Sequence, residues 1–213
     1  MIEAYRLVDK LEREHSLSLS EYKLLIESEN EALRIYISNK AKTVATSIYG
    51  NAIYVRGLIE VGNYCRNDCL YCGIRKSNTN CDRYILDEED ILNCCKEGYD
   101  LGFRTFVLQG GEGIYKKDFV TSIVQKIHVL YPDCAVTLSL GEEDKETYKE
   151  WFDAGANRYL LRHETASKGH YEKLHPENMS FEHRMQCLRD LKNIGYQVGC
   201  GFMVGSPYQT SET

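Results

Sequence analysis

From about residue 55 the chain alternates short apolar runs with amphipathic stretches, and this alternation limits the fold more than any single motif. The apolar runs fall at 57–61, 104–108, 135–140, 158–161 and 197–204; the stretches 87–101, 116–130, 144–154 and 180–194 between them have helical spacing. Repeated strand-then-helix units build parallel sheets through right-handed crossovers. Asp87 with Asp90, and Ser180 with Glu182 and His183, predict helix starts, while Gly102, Gly155 and Gly195 predict helix ends just ahead of the next strand. The expected class is α/β: a partial TIM-type (βα) barrel of parallel strands, with five units legible. Residues 1–48 read differently, as helices. Leu7, Val8 and Leu11 recur at helical spacing, Ser18 with Glu21 makes a capping box, and Glu31 to Ser47 supplies a third helix. The expected organisation is a helical segment over 1–48 and a core domain over 49–213.

Side-chain alternation then assigns the faces of the strands. Val136, Leu138 and Leu140 share one face of the third strand and Thr137 and Ser139 the other. Helices covering the outside require the apolar face, so the hydroxyls point into the lumen. Arg162 and Glu164 share a face of the fourth run, where they suit a polar, ligand-filled cavity or pair with one another; His163 lies opposite and reads as a packed histidine. Gly199, Gly201, Met203 and Gly205 on one face of the fifth run leave room for something bulky. Each run ends in a polar or glycine-rich segment, and in a parallel β/α architecture all carboxyl ends open on one mouth. Segments starting at Cys65, Gln109, Ser139, Arg162 and Met203 therefore converge.

The first of these segments is Cys65-Arg66-Asn67-Asp68-Cys69-Leu70-Tyr71-Cys72. Three soft thiolates on one short loop can wrap one metal centre, and three ligands are one short of a closed tetrahedral site. Either the fourth position is open to something exchangeable, or Cys81 closes a zinc site. Nine cysteines occur without the basic-then-apolar start of an export signal, since the chain opens Met1-Ile2-Glu3-Ala4-Tyr5-Arg6, so metal binding is favoured over disulfides. The six outside the loop form no ligand pattern, and most of them read as buried small apolar residues. A net charge of -6 with no basic block gives a nucleic-acid partner no electrostatic support. No apolar run is long enough to span a bilayer, which needs about 20 residues, so the expected location is the cytoplasm.

Taken in order, the cysteine loop, Gln-Gly-Gly-Glu at 109–112, Thr-Leu-Ser-Leu-Gly-Glu at 137–142, Tyr-Leu-Leu-Arg-His-Glu-Thr at 159–165, Phe-Glu-His-Arg at 181–184 and Met-Val-Gly-Ser-Pro at 203–207 carry a resemblance. From about residue 50 onward the chain resembles the radical S-adenosylmethionine (SAM) superfamily, within it the HydE family of di-iron hydrogenase maturases, kin to biotin synthase and methylornithine synthase. The resemblance implies that Cys65, Cys69 and Cys72 hold a 4Fe-4S cluster whose fourth iron SAM chelates. It implies that Tyr71 and Met203 line the adenine pocket, that Gly110, Gly111 and Glu112 engage the methionyl end, and that Glu164 and Arg184 bind the polar groups of SAM. Arg162, Thr137 and Ser139 would face the substrate. The implied reaction is reductive cleavage of SAM to methionine and a 5'-deoxyadenosyl radical. It would act on an iron synthon carrying carbonyl, cyanide and cysteine, with an electron donor such as ferredoxin or flavodoxin and with HydG-type and HydF-type maturases as partners.

Gly110, Gly113 and Tyr208 depart from the residues usual in that family, serine, aspartate and glycine respectively. A biotin synthase-like activity would need further cysteines facing the lumen, and Cys200 lies one residue off the matching position, Gly199. Methylornithine synthase shares the same residues and stays open. Family members continue for over a hundred residues more, so an inactive cluster-binding fragment is the alternative of another class.

Overall fold

Caps and glycines cut the chain into elements at the positions their chemistry favours. The computed structural model describes residues 2–28 and 30–213. Two compact units result: the residues up to Tyr54 together with Gln209–Thr213, and Val55–Tyr208.

The first unit contains three helices, α1 (Ile2–Glu14), α2 (Leu19–Glu27) and α3 (Glu31–Tyr49). Its core is small: Ala4 and Val8 of α1 meet Leu33 of α3, flanked by Tyr5, Leu25 and Tyr36. The Glu21 N–H donates to Ser18 Oγ and the Ser18 N–H donates to the Glu21 carboxylate at 2.8 Å, which is the reciprocal box expected at the start of α2. Ion pairs supplement this core, with Lys10 on Glu21 at 2.7 Å and Lys40 on Glu12 at 2.6 Å. No described helix is long and apolar enough to cross a membrane.

The second unit is a sheet of five parallel strands, β1 (Gly57–Gly62), β2 (Thr105–Gly110), β3 (Ala135–Ser139), β4 (Ala156–Leu160) and β5 (Gln197–Gly199), lying side by side in chain order. Helices α4 (Glu88–Asp100), α5 (Lys117–Leu130) and α6 (Lys145–Asp153) fill the first three crossovers; α7 (Lys168–Leu174) and α8 (Phe181–Ile194) share the fourth. Crossovers of one hand between neighbouring strands keep every helix on one face, so the other face is left to line a lumen. This is the α/β fold with a partial TIM-type core.

Packing follows the alternation. Ile59, Val61, Phe106, Leu108, Val136, Leu138 and Tyr159 enter one continuous core with Val124 and Ile127 of α5, Trp151 of α6 and Leu191 of α8. On the opposite face Glu60 pairs in register with Gln109 and Gln109 with Ser139, a polar row across three strands near the mouth. The caps act as their residue types dictate: the Asp90 N–H donates to Asp87 Oδ1 at 2.9 Å and the His183 N–H to Ser180 Oγ at 3.2 Å. Gly102, Gly155 and Gly195 take φ values of 94°, 120° and 116° at the helix ends, which a side chain would resist.

Three features depart from the expectations. The fifth strand is regular only over Gln197–Gly199, not to 204, because Gly199, Gly201 and Gly205 offer no side chains to pack. Beyond it single contacts continue the pairing, with the His163 N–H donating to Gly201 O at 3.1 Å and the Met203 N–H to Glu164 O at 2.9 Å. Helix α7 is unforeseen; it is seven residues long, lacks a side-chain cap, and buries His170, Tyr171 and Leu174. Among the six cysteines outside the loop, Cys95, Cys134 and Cys187 are buried as expected, whereas Cys81 is half-buried and Cys94 and Cys200 are exposed.

The two faces of the sheet should respond differently to truncation. Leu138 is fully buried on the helical face and Leu58 is 54% exposed on the other. Leu138→Ala is expected to cost about 2–5 kcal/mol of unfolding free energy, and Leu58→Ala well under half of that, read from urea denaturation midpoints. Equal losses would contradict the assignment of faces.

Candidate functional site

The cysteine loop leaves β1 and is held in place mainly by backbone groups. The Arg66 N–H donates to Glu112 O at 2.9 Å beyond β2, and the Leu70 N–H donates to Leu174 O at 3.0 Å at the end of α7. Within the loop the Cys72 N–H donates to Cys69 O at 3.0 Å and the Lys76 N–H to Asn67 O at 2.9 Å. Arg83 closes the return: its guanidinium donates to the carbonyls of Asn63, Ile74, Arg75 and Asn78. No pattern in the sequence marks Arg83, since its partners are all main-chain carbonyls.

Gly111 has a steric reason to be glycine. A Cβ there would lie 1.7 Å from Tyr64 O and 2.9 Å from Cys65 Cβ, so the loop after β1 and the turn after β2 touch backbone to backbone. A Cβ on Gly110 would crowd Gly62 O and Val61 at 3.0 Å. Both glycines thus set the seat of the cysteine loop. At Gly141, with φ 90°, a Cβ would strike the Glu112 carboxylate at 2.2–2.6 Å. Gly113, at φ 74°, leaves the space that the Arg66 stem fills.

One cavity at the mouth of the sheet gathers most of the residues singled out from the sequence. Cys65, Cys69 and Cys72 line it with Tyr71; Gly110, Gly111 and Glu112 form another wall; Ser139, Arg162, Glu164 and Arg184 complete it. Glu60, Gln109 and Gly141 also reach it. Thr137 and Met203 do not line this cavity. Thr137 is buried lower on β3 with its Oγ1 unpartnered, and Met203 is anchored beside Glu164 through its backbone N–H.

The walls are charged and largely dry. Arg184, which the sequence alone would leave as a solvated charge early in a helix, is 8% exposed. Its Nε lies 2.6 Å from Glu142 Oε1 and its Nη2 3.7 Å from Glu112 Oε2. The other oxygen of Glu112 accepts from Arg66 Nε and Nη2 at 3.1 and 3.0 Å, and Arg66 also donates to Glu142 O at 2.7 Å. Burial alone would lower Arg184, but Glu142, Tyr171 and Glu112 outweigh it and hold the guanidinium charged, above its ordinary range. Burial raises the carboxyl of Glu142 against the pull of Arg184. Arg162 Nε stands 3.6 Å from Glu164 Oε1, so the ion pair and the cavity wall are the same residues. Glu164 adopts φ 63°, a costly conformation for a non-glycine residue, and its burial at 6% exposed keeps it there.

Tyr71 is oriented by a histidine. Only a ring N–H can pair with a carbonyl, so His175 Nδ1 donates to Tyr171 O at 2.9 Å, and Nε2 accepts from the Tyr71 hydroxyl at 3.2 Å. The imidazole stacks on Tyr171 at 3.7 Å between centroids, and burial pushes its pKa down, keeping it neutral. Glu142, Arg66, Arg83 and this Tyr171–His175 pair escaped the sequence reading; the Gly-Glu at the end of β3 was the one visible signal among them.

The donor set suits an iron–sulfur cluster. Burial, then the neighbouring Cys65 and Cys72, push the Cys69 thiol up to about 12. A cationic iron centre would favour the thiolate form that burial disfavours at Cys69. Among the described residues no three His, Cys, Asp or Glu side chains close on one point as ligands of a single ion.

Residues 59–213 match the radical SAM superfamily. The chain belongs to that superfamily. Its members are iron–sulfur and SAM-dependent enzymes that bind a 4Fe-4S cluster and SAM. Among curated relatives the chain is 44% identical to the [FeFe] hydrogenase maturase subunit HydE of Thermotoga maritima, over 80% of this chain and 48% of that one. It is 29% identical to the 3-methylornithine synthase of Methanosarcina acetivorans, over 85% of this chain and 51% of that one. The crystal structure of methylornithine synthase (PylB) superposes with a TM-score of 0.85 at 27% identity, covering 93% of this chain and 59% of that one. The chain thus spans about half the length of the curated relatives it matches.

The seat of the cysteine loop can be tested without turnover. Gly111→Ala is expected to abolish most iron uptake on anaerobic reconstitution while leaving the helical circular dichroism intact. Gly73→Ala, where a Cβ meets nothing within 4 Å, should take up iron as the unaltered chain does.

Proposed function

We propose that this chain is the cluster- and SAM-binding part of a radical SAM enzyme that acts in assembly of the di-iron hydrogenase active-site cluster. The observation that carries the reading is the meeting, in one cavity, of Cys65, Cys69 and Cys72 with the Gly110–Glu112 turn, Glu164 and Arg184. The likeness to the HydE of Thermotoga maritima supports the hydrogenase-maturation branch over methylornithine synthesis, at 44% against 29% identity.

Cys65, Cys69 and Cys72 would hold the cluster. When bound, the cluster and SAM supply a one-electron reductive cleavage that gives methionine and a 5'-deoxyadenosyl radical, the cofactor carrying the chemistry that side chains cannot. The chain's own residues bind and orient. Arg184 and Glu164 offer a cation and an anion to the carboxylate and ammonium of the methionyl end, and the Gly110–Glu112 turn receives that end against bare backbone. Tyr71, fixed through His175, presents its ring to the cavity with Met203 nearby for the adenine. Arg162 and Ser139 line the cavity toward the substrate, a small organometallic molecule on this reading, with Thr137 buried lower on β3. A reduced iron–sulfur or flavin protein would supply the electron, and HydG-type and HydF-type proteins would work before and after it. All nine cysteines are free, which suits the reducing cytoplasm.

The chain with its cluster rebuilt anaerobically, reduced and given SAM is expected to form 5'-deoxyadenosine, and Cys69→Ala is expected to form none. Iron near four per chain, as one such cluster requires, without product would favour the inactive-fragment alternative. Tight zinc in place of iron would remove the reading altogether.

A further inference from the structure

We infer that Glu142 is a positioning residue for the methionyl carboxylate of SAM: its buried carboxylate lies against Arg184 and holds that guanidinium in the wall of the cavity. The inference rests on the radical SAM reading above and adds a residue to it.

A buried guanidinium has five N–H donors in one plane, and its use depends on which edge is already occupied. In this chain Glu142 Oε1 lies 2.6 Å from Nε. Glu112 Oε2 stands off from Nη2 at 3.7 Å, and Tyr171 lies against the same guanidinium. The 2.6 Å contact between Arg184 Nε and Glu142 Oε1 is a charge pair, since neither atom makes a directed hydrogen bond among the described residues. Glu142 is 7% exposed and Arg184 8%, so water cannot substitute for either.

Glu142 is itself located from both sides. It follows Gly141, whose φ of 90° turns the chain at the end of β3. Its carbonyl accepts from Arg66 of the cysteine loop at 2.7 Å, and its second oxygen faces His183 Nε2 at 3.7 Å. A side chain anchored so closely fixes Arg184 in the cavity wall, so that a carboxylate entering the cavity meets a guanidinium already held in place. Glu112 cannot do the same, because Arg66 already holds its Oε1.

The test uses two probes that differ in the carboxylate. Equilibrium dialysis of the cluster-loaded chain against SAM and against 5'-methylthioadenosine, which lacks the amino-acid end, compares the unaltered protein with Glu142→Gln at equal iron content. Glu142→Gln is expected to weaken SAM by roughly 10–100-fold, the range typical of lost supporting contacts, and to leave 5'-methylthioadenosine unchanged. In an Arg184→Lys background the same change should add little, since the two residues act as one unit. Unchanged SAM affinity, or equal weakening of both probes, overturns the role of Glu142. Should Glu142→Gln fail to take up iron, Glu142→Asp keeps the charge and withdraws the carboxylate by one methylene; a smaller but still SAM-selective loss supports the role and an equal loss overturns it. If the unaltered chain binds neither probe, the proposal that this chain binds SAM falls, and the role of Glu142 with it.

Discussion

The contact between the Tyr64 carbonyl and the bare α-carbon of Gly111 holds the mouth of the sheet together. Two backbones can approach so closely only where one of them carries no side chain. That contact seats the cysteine loop on the turn after β2, and the loop then recruits its other supports. The Arg66 amide reaches Glu112 O, the Leu70 amide reaches the last residue of α7, and the Arg66 side chain spans to the residue after Gly141. Each support comes from a different βα unit. The geometry of three thiols is thereby a property of the whole mouth, although all three lie within eight residues of sequence.

Charge is the second organising constraint. Arg66 and Arg184 alternate with Glu112 and Glu142 along the wall, so the buried carboxylates and guanidinium carry no net charge with the half-exposed Arg66. Buried ions are costly unless paired, and removing one partner from such a set typically costs about 3–5 kcal/mol. Arg162 and Glu164 make a further pair at 3.6 Å, where the arginine side chain stays 61% exposed.

Much of this was legible in the sequence because it depends on short-range rules. Asp87, Ser180 and the helix-ending glycines act within four residues of themselves, and the alternation of Val136, Leu138 and Leu140 follows from the geometry of a strand. The cysteine spacing likewise identifies the loop. What remained hidden depends on tertiary position. Arg184 reads as an ordinary helix charge until the end of β3 brings Glu142 against it. Arg83 binds carbonyls, which every residue has. Helix α7 has no cap and a single buried side, and the glycines that make room beyond β5 are the same residues that end it as a regular strand. Gly110 and Gly111 were visible, but their need to be glycine arises from the neighbouring chain and not only from a ligand.

The strand order has a bearing on how the molecule comes into being. Each strand pairs with the one made immediately before it, and each crossover helix packs on the sheet that its own strands have just enlarged. Each pairing needs one completed crossover, and none waits for the first and last segments to meet. A chain emerging from the ribosome can therefore lay down β1 to β5 in the order of translation, with the thiols of the first loop exposed until the turn after β2 arrives to cover them.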